Sequence, residues 1–467
     1  VPNVPSEVWK EDDSILIGAF APLSLGAGGC DDPASVNYRL ALQELNADNI
    51  GGLPPGRKVS VVICDNQALG AGSEAEKSVL VDQASKHLVE ALRVPAILAA
   101  VTQPDLVAMT NTYAKPNGVF LMNPFGATDA TATLDDAGLV WHMLGQPEDL
   151  AATYAALVQA MEPVVPTLLN QPGPLRVLVI AGNDELSVEL TPALAGSVTF
   201  NGKSWAENIT DGNLVVGVAT DTASAQALGT ELLSMDPHIV ISTSHFALPV
   251  WESGDTGGVR PFFVLSPLDF ADHEAWKISI ELSKNASNLP DVEDRFVFVN
   301  PAATEDIDLI QAYRARLTSI LPASLDFSAE NAYDAAYYLL YSLSRGGDPA
   351  TGTKMAADGM PALMAAAPEL DVGPDDMDQV FAALEAPGGQ VRLNGLMGPP
   401  TFDTNGVHTM TGQLECFMTL VAVPGNAELE LYTHVGHFDA TTNVLRKAQQ
   451  YAGSPVPCLD WLNLPDP

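Results

Sequence analysis

The chain has 467 residues, about three times the common domain length of roughly 100–150, so two or more domains are expected. Hydrophobic residues make up 47% of it and charged residues 17%, a composition that excludes a disordered chain. The net charge of −37, from 58 acidic and 21 basic residues, argues against phosphate backbones and anionic membrane surfaces as partners, so nucleic acid is set aside.

The acidity itself has two readings: a solubility device of the kind a salty habitat favours, or an acidic face for a specific basic partner. No stretch approaches the roughly 20 apolar residues of a membrane span, since even Val94 to Val101 stops at Thr102 and Gln103. The start at Val1, without methionine and followed by the polar segment Pro2 to Asp13, reads as a mature or trimmed N-terminus left after an exported leader.

In chain order, Ile15 to Phe20, Val59 to Asp65, Ala96 to Thr102 and Val119 to Pro124 read as strands separated by helix-length segments, which predicts a parallel sheet. Helices are predicted over Pro33–Ala47, over Glu74–Leu92, and after Thr102, where Pro104 and Asp105 suit a first turn. A second α/β series follows Trp141 to Gly145: a helix over Asp149–Met161, a strand over Arg176–Ala181, a helix over Thr222–Met235, then strands Ile239–Ser244 and Pro261–Leu265. A second parallel sheet is therefore expected. Beyond Phe296–Pro301, Ile307–Ile320 and Ala329–Leu343 are periodic helices and Gly346–Pro361 reads as loop. Met377–Leu384 is a short helix, and Gln413–Val423 with Glu428–Val435 read as antiparallel strands.

Four cysteines do not make a disulfide scaffold. Cys30 follows the first strand and Cys64 ends the second, and neighbouring parallel strands would bring those ends together. We expect Cys30 to pair with Cys64 and Cys416 with Cys458, which implies an oxidising compartment; the other reading is four buried thiols. The absence of any Cys-x-x-Cys spacing argues against zinc.

The order of elements resembles the type I periplasmic solute-binding proteins, specifically the leucine/isoleucine/valine-binding group of extracellular ligand-binding receptors. The segments that carry the resemblance are Ile17 to Ser24, Ala41 to Gly52, Thr102-Gln103-Pro104, Asn123-Pro124-x-x-Ala127-Thr128, Asn331 to Ala335 and Gly398-Pro399-x-x-Phe402-Asp403-x-x-Gly406. It spans about positions 14 to 440. It implies two doubly wound parallel-sheet lobes joined by three crossing hinge strands and closing on a small ligand. The crossings are expected near His142–Gln146, Phe298–Pro301 and Pro399–Asp403. The lobes would comprise residues 1–145 with 300–400, and 146–299 with 401–440, with 441–467 a tail packed on the lobes. Ala350–Pro374 and the tail after His437 look like additions to the family pattern.

In an open α/β sheet, ligands sit outside the carboxyl ends of the strands, where helix N-termini present unpaired N–H groups. Thr102 and the turn Gly126-Ala127-Thr128 occupy such ends and suit a carboxylate, the group that the matching family positions receive; their alternative role is plain N-capping. From the second lobe, His245 and Phe246 fall where the family supplies an aromatic wall. Asp269 lies one place beyond Leu268, which stands where amino-acid binders carry the acid that pairs with an ammonium group, so the chain departs from that pattern. A solvated loop aspartate is the other account of Asp269. Asn183, with Asp184 and Glu185, ends a strand of the second lobe and is a cleft-lining candidate or a cap. Ser24 and Leu25 are cleft-edge candidates, and Trp251 is either a binding platform or a packing residue.

Enzymatic readings find little support. Gly26-Ala27-Gly28-Gly29 leads to Cys30-Asp31-Asp32-Pro33, so acids and a proline occupy the helix start that a phosphate would need. No Gly-x-Ser-x-Gly elbow or Gly-Lys-Ser/Thr loop occurs, and His434 and His437 lack a His-Glu-x-x-His helix. No catalytic residue, metal or cofactor is expected. What the resemblance implies is a periplasmic or secreted solute-binding protein, a lipoprotein before trimming being one form of it. It would be a monomer that captures a small, polar, carboxylate-bearing, amino-acid-like metabolite in the interlobe cleft for the membrane permease of an ABC transporter. The alternatives are a sensory or receptor ectodomain of the same fold and, further off, an α/β enzyme.

Overall fold

The computed structural model describes residues 14–22, 32–47, 50, 52–54, 56–66, 73–256, 260–271, 275–276, 295–320, 329–366, 368–423, 426–454, 456 and 459–467. The chain divides into two compact units, residues 1–145 with 306–409 and residues 146–305 with 410–467, so it passes from one unit to the other three times. Among the described residues no helix is long and apolar enough to cross a membrane.

The first unit is built on β1 (Ile15–Ala21), β2 (Val59–Asp65), β3 (Ala96–Ala99), β4 (Phe120–Asn123) and β5 (Val140–His142), all parallel, in the order β2-β1-β3-β4-β5. A strand buried on both faces must be apolar at every position, and its alternate side chains enter separate cores. In β1, Ile15, Ile17 and Ala19 join the core under the helices Pro33–Leu45 and Glu330–Ser344, while Phe20 joins the core under Glu74–Lys86 and Gln103–Met109. In β3, Ala96 and Leu98 take the first side, and Ile97 and Ala99 the second. The sheet is thus doubly wound, with its direction of growth reversing between β1 and β3.

The second unit carries β6 (Val177–Ala181), β7 (Leu214–Val218), β8 (Ile239–Ser242), β9 (Phe262–Leu265) and β10 (Phe296–Pro301). These are parallel in the order β10-β9-β8-β6-β7, and the antiparallel strands Gly412–Val423, Asn426–Asp439 and Val444–Lys447 extend the sheet beyond β10. Alternation sorts the faces here too: Val177, Val179, Ile239 and Ile241 enter one core, Leu178, Ile180 and Val240 the other.

The helix Glu330–Ser344 is buried on every side from Ala332 to Leu343, so its polar groups need partners inside the protein. Tyr333, Tyr337 and Tyr341, spaced by one turn, pack against one another in tilted pairs with ring centroids 4.8 and 5.5 Å apart. Glu44 accepts from the Tyr333 hydroxyl at 2.6 Å and the Tyr337 hydroxyl at 2.5 Å, and pairs with Arg316 Nε at 2.9 Å. Burial pushes the Glu44 carboxyl above its ordinary range against the pull of these bonds. On the same helix, buried Asp334 accepts from the backbone N–H groups of Leu396 (3.1 Å) and Met397 (2.8 Å). A Cβ on Gly395 would fall 2.3 Å from its Oδ2, so that turn requires glycine.

Three local features differ from the sequence reading. Gly346–Pro361 contains helical turns, Gly352–Lys354 and a wide turn Met355–Gly359, because Met355 and Met360 are buried and Gly359 lies against the long helix, where a Cβ would meet the Ser342 carbonyl at 2.7 Å. The edge strand β7 has no clear signature, since Gly217 interrupts it and Val216 and Val218 are exposed. Finally, Cys64 is a free thiol and the expected bond to Cys30 is not made. Its side chain instead packs half-buried with Leu16 and Val62 against the core holding Phe20, Val81 and Leu88, and burial raises its pKa. Cys30 and Cys458 lie outside the described residues, and Cys416 is buried in the strand Gly412–Val423.

Replacing Glu44 by alanine strips an acceptor from two phenols and an anion from Arg316. We expect a loss of about 3 kcal/mol in urea unfolding; a loss below about 1 kcal/mol would show that solvent relieves the cluster.

Candidate functional site

Both sheets end in a polar strip at the carboxyl ends of their strands. In the first unit β3 runs out at Ala99, and Thr102 caps the helix Gln103–Met109. Its Oγ1 accepts from Asp105 N at 3.4 Å and donates to Asp105 Oδ2 at 2.9 Å, while the side chain stays exposed. The next residue ties two loops together: Gln103 Nε2 donates to the Gly126 carbonyl at 2.8 Å, and Gln103 Oε1 accepts from Thr131 Oγ1 at 2.7 Å. Thr131 in turn accepts from Thr128 N at 2.9 Å, fixing the short helix Asp129–Ala132 that Thr128 caps.

The turn between β4 and that helix is held from below. Asn123 Oδ1 accepts from Phe125 N at 3.0 Å, its Nδ2 lies 3.0 Å from His142 Nδ1, and Asn331 Nδ2 donates to the Pro124 carbonyl at 2.9 Å. Gly126 is required for packing, because a Cβ there would stand 2.5 Å from the Gly145 carbonyl. Ala127 is buried and Thr128 nearly so, which leaves Thr102 and Gly126 as the more accessible members of the strip. Ser24, Leu25 and the glycine run Gly26–Gly29 lie outside the described residues.

In the second unit β6 ends at Ala181, and Asp184 caps the helix Glu185–Ser197 by accepting from Ser187 N at 2.8 Å. Its other oxygen, Oδ2, is buried without a hydrogen-bond partner among the described residues, and burial raises the carboxyl pKa despite the nearby His245. Asn183 is exposed beside it. Beneath, Thr243 Oγ1 bonds Ser187 Oγ at 2.9 Å and Thr191 Oγ1 at 2.8 Å, tying the helix Glu185–Ser197 to the end of β8 through hydroxyls. His245 is exposed and lies on half-buried Phe246, ring centroids 4.1 Å apart.

Asp269 faces inward. It is 1% exposed, accepts from Ser266 N at 3.0 Å and Ser266 Oγ at 2.9 Å, and so closes the capping arrangement of the helix Pro267–Ala271. Trp251 is also resolved in favour of packing: it is 2% exposed and lies against Trp276 and Phe296 at 5.7 and 5.8 Å. Of the residues at these edges, Gln103, Thr131, His142 and Asn331 escaped the sequence reading as site members. Gln103 and Asn331 sit inside motifs that carry the family resemblance, but neither reveals in sequence the carbonyl it will bond.

No family model matches the chain, and no curated protein matches it. Solved structures do. A solute-binding protein of an ABC transporter from R. palustris, in complex with 4-hydroxybenzoate, is 12% identical with a TM-score of 0.58, covering 90% of this chain and 97% of that one. An ABC transporter substrate-binding protein from Desulfitobacterium hafniense, in complex with Leu, is 14% identical with a TM-score of 0.53, covering 89% of this chain and 100% of that one. An extracellular ligand-binding receptor from Verminephrobacter eiseniae is 10% identical with a TM-score of 0.55, covering 86% and 97%. The chain has the type I periplasmic binding fold. At such identities the likeness extends to the architecture alone.

The type I fold here carries two buried imidazoles in paired segments of the first unit. His142 N donates to the Gly406 carbonyl at 2.8 Å and His408 N to the His142 carbonyl at 3.1 Å. Burial pushes the pKa of each ring down to about 4, against the weaker pull of Asp403 on His142. Below pH 6.5 the unfolded chain binds protons that these folded histidines refuse, so stability falls as the pH drops from 6.5 toward 4. Burial lifts Asp32 to about 6 and Asp334 to about 7, and both act in the opposite sense: their stabilisation is lost as the pH rises through those values. A variant therefore isolates the histidine contribution. His142→Gln and His408→Gln are each expected to lessen the stability lost between pH 6.5 and 4.5 by about 2 kcal/mol in urea unfolding. An unchanged pH dependence in both would mean the rings gain their protons without unfolding.

Proposed function

We propose that this protein is an extracytoplasmic solute-binding protein. It captures a small, polar, carboxylate-bearing, amino-acid-like solute and passes it to the permease of an ABC transporter, without chemical change to the solute. The observation that carries this reading is the pairing of the type I fold with two polar strips at strand ends, each made of helix caps and hydroxyls. Hydroxyls and first-turn amides suit a carboxylate, which they meet without a fixed cation. Neighbours of the same fold are named as complexes with benzoate, 4-hydroxybenzoate and Leu, each of which bears a carboxylate.

In this proposal Thr102 supplies its hydroxyl and the amides of its helix start. The turn Gly126-Ala127-Thr128 supplies backbone groups, with Ser24 at the edge. Asn183, His245 and Phe246 contribute polar and aromatic contacts from the second unit. Asp269 supports Ser266 from within and does not meet the solute.

Thermal-shift and calorimetric titration against amino acids, aromatic and aliphatic carboxylates and their amide analogues tests the reading. A true ligand at ~100 times its Kd adds about 2.7 kcal/mol of stability. Its amide analogue should bind at least ~10-fold more weakly, and Thr102→Ala should cost a similar factor, about 1.4 kcal/mol. No shift from any carboxylate would overturn the proposal. Unchanged affinity in both Thr102→Ala and Thr128→Ala would overturn the site.

A further inference from the structure

The sequence holds four Asn-Gly pairs, at Asn117, Asn201, Asn394 and Asn405. In such a pair the glycine amide nitrogen meets no side chain when it attacks the asparagine carboxamide, so the pair is the sequence in which an asparagine most readily closes on itself. Whether it does so depends on how each amide is held. Asn201 is half-buried, with its oxygen accepting from Leu175 N at 2.8 Å and its Nδ2 donating to Leu175 O at 2.9 Å. Asn394 donates from Nδ2 to Asp371 at 2.8 Å, and Asn117 donates from Nδ2 to Tyr113 O at 2.7 Å. Asn405 differs: it is exposed at the tip of the turn Asp403–Gly406, and its carboxamide makes no such tie among the described residues. Among the described residues the Gly406 amide is held by a single long bond to the Asp403 carbonyl, 3.2 Å.

We propose that Asn405 is a site of spontaneous deamidation, and that its iso-aspartyl product unlatches the neighbouring end of β5. The Gly406 nitrogen loses its proton to base and attacks Cγ of Asn405. A C–N bond forms and ammonia leaves, giving a succinimide. Water then opens the ring at either carbonyl, leaving aspartate or iso-aspartate, so that one water enters and one ammonia departs. No oxidation or reduction occurs.

The position gives the modification its effect. The Gly406 carbonyl accepts from His142 N at 2.8 Å, and a Cβ on Gly406 would stand 2.5 Å from the Val140 carbonyl, so the backbone there has no slack. Iso-aspartate adds one methylene to the main chain immediately before Gly406. A backbone fixed against Val140 cannot absorb it and keep the bond to His142. Ordinary aspartate at 405 leaves the main chain unaltered.

The test is ageing of the intact protein at mildly alkaline pH and physiological temperature. Peptide mapping by fragmentation that separates aspartate from iso-aspartate follows all four pairs, and hydrogen exchange follows the peptide holding Val140–His142. Asn405 should convert several-fold faster than the other three in the folded protein, and the four should converge in urea. Aged protein should lose exchange protection at His142, whereas freshly made Asn405→Asp and aged Asn405→Ser should keep it. Conversion at Asn117, Asn201 or Asn394 as fast as at Asn405, or the absence of iso-aspartate at 405, would overturn the assignment. Conversion with unchanged protection at His142 would overturn its structural consequence.

Discussion

Parallel strands cannot be joined by tight turns, so each connection has to travel the length of the sheet outside its plane, usually as a helix laid over one face. In both units this covers the two faces of the parallel strands with separate apolar cores, and the strands become continuous hydrophobic runs such as Val177 to Ala181. What remains open is the edge where strands stop and helices start. Backbone N–H groups accumulate there without intrahelical partners, and the chain has to satisfy them with side chains, water or a ligand.

The caps at that edge meet this demand from within the chain. Thr102, Thr128 and Asp184 each hold a helix start, and in the function proposed above Thr102 and Thr128 also meet the solute. The capping role needs only the local chain, which is why these residues are placed with so few neighbours. The loops that carry them are positioned from further away: Gln103 spans to Gly126 and Thr131, and Asn331 reaches Pro124 across more than 200 positions of sequence. Removing such a brace would disturb a strand end without touching anything bound there.

A comparable division appears in the core of the first unit. The long helix Glu330–Ser344 is apolar enough to be buried, yet carries a column of tyrosines and Asp334 into the interior. Glu44, Arg316 and the backbone of Leu396 and Met397 satisfy Tyr333, Tyr337 and Asp334, so this helix fixes the fold through polar contacts as well as packing.

The sequence by itself determined the α/β alternation, the two parallel sheets and the strand ends where Thr102, Thr128 and Asn183 lie, because local periodicity and capping chemistry depend on residues close together in the chain. It did not determine β7, whose pattern Gly217 breaks, or the helical turns of 352–362, which are imposed by contact with Ser342. Only the tertiary structure decided that Asp269 turns inward to Ser266, that Trp251 joins an aromatic core and that Cys64 packs as a free thiol. The physical reason is direction: spacing along the chain says which residues reach a strand end, but which way each side chain points there is settled by neighbours tens or hundreds of residues away.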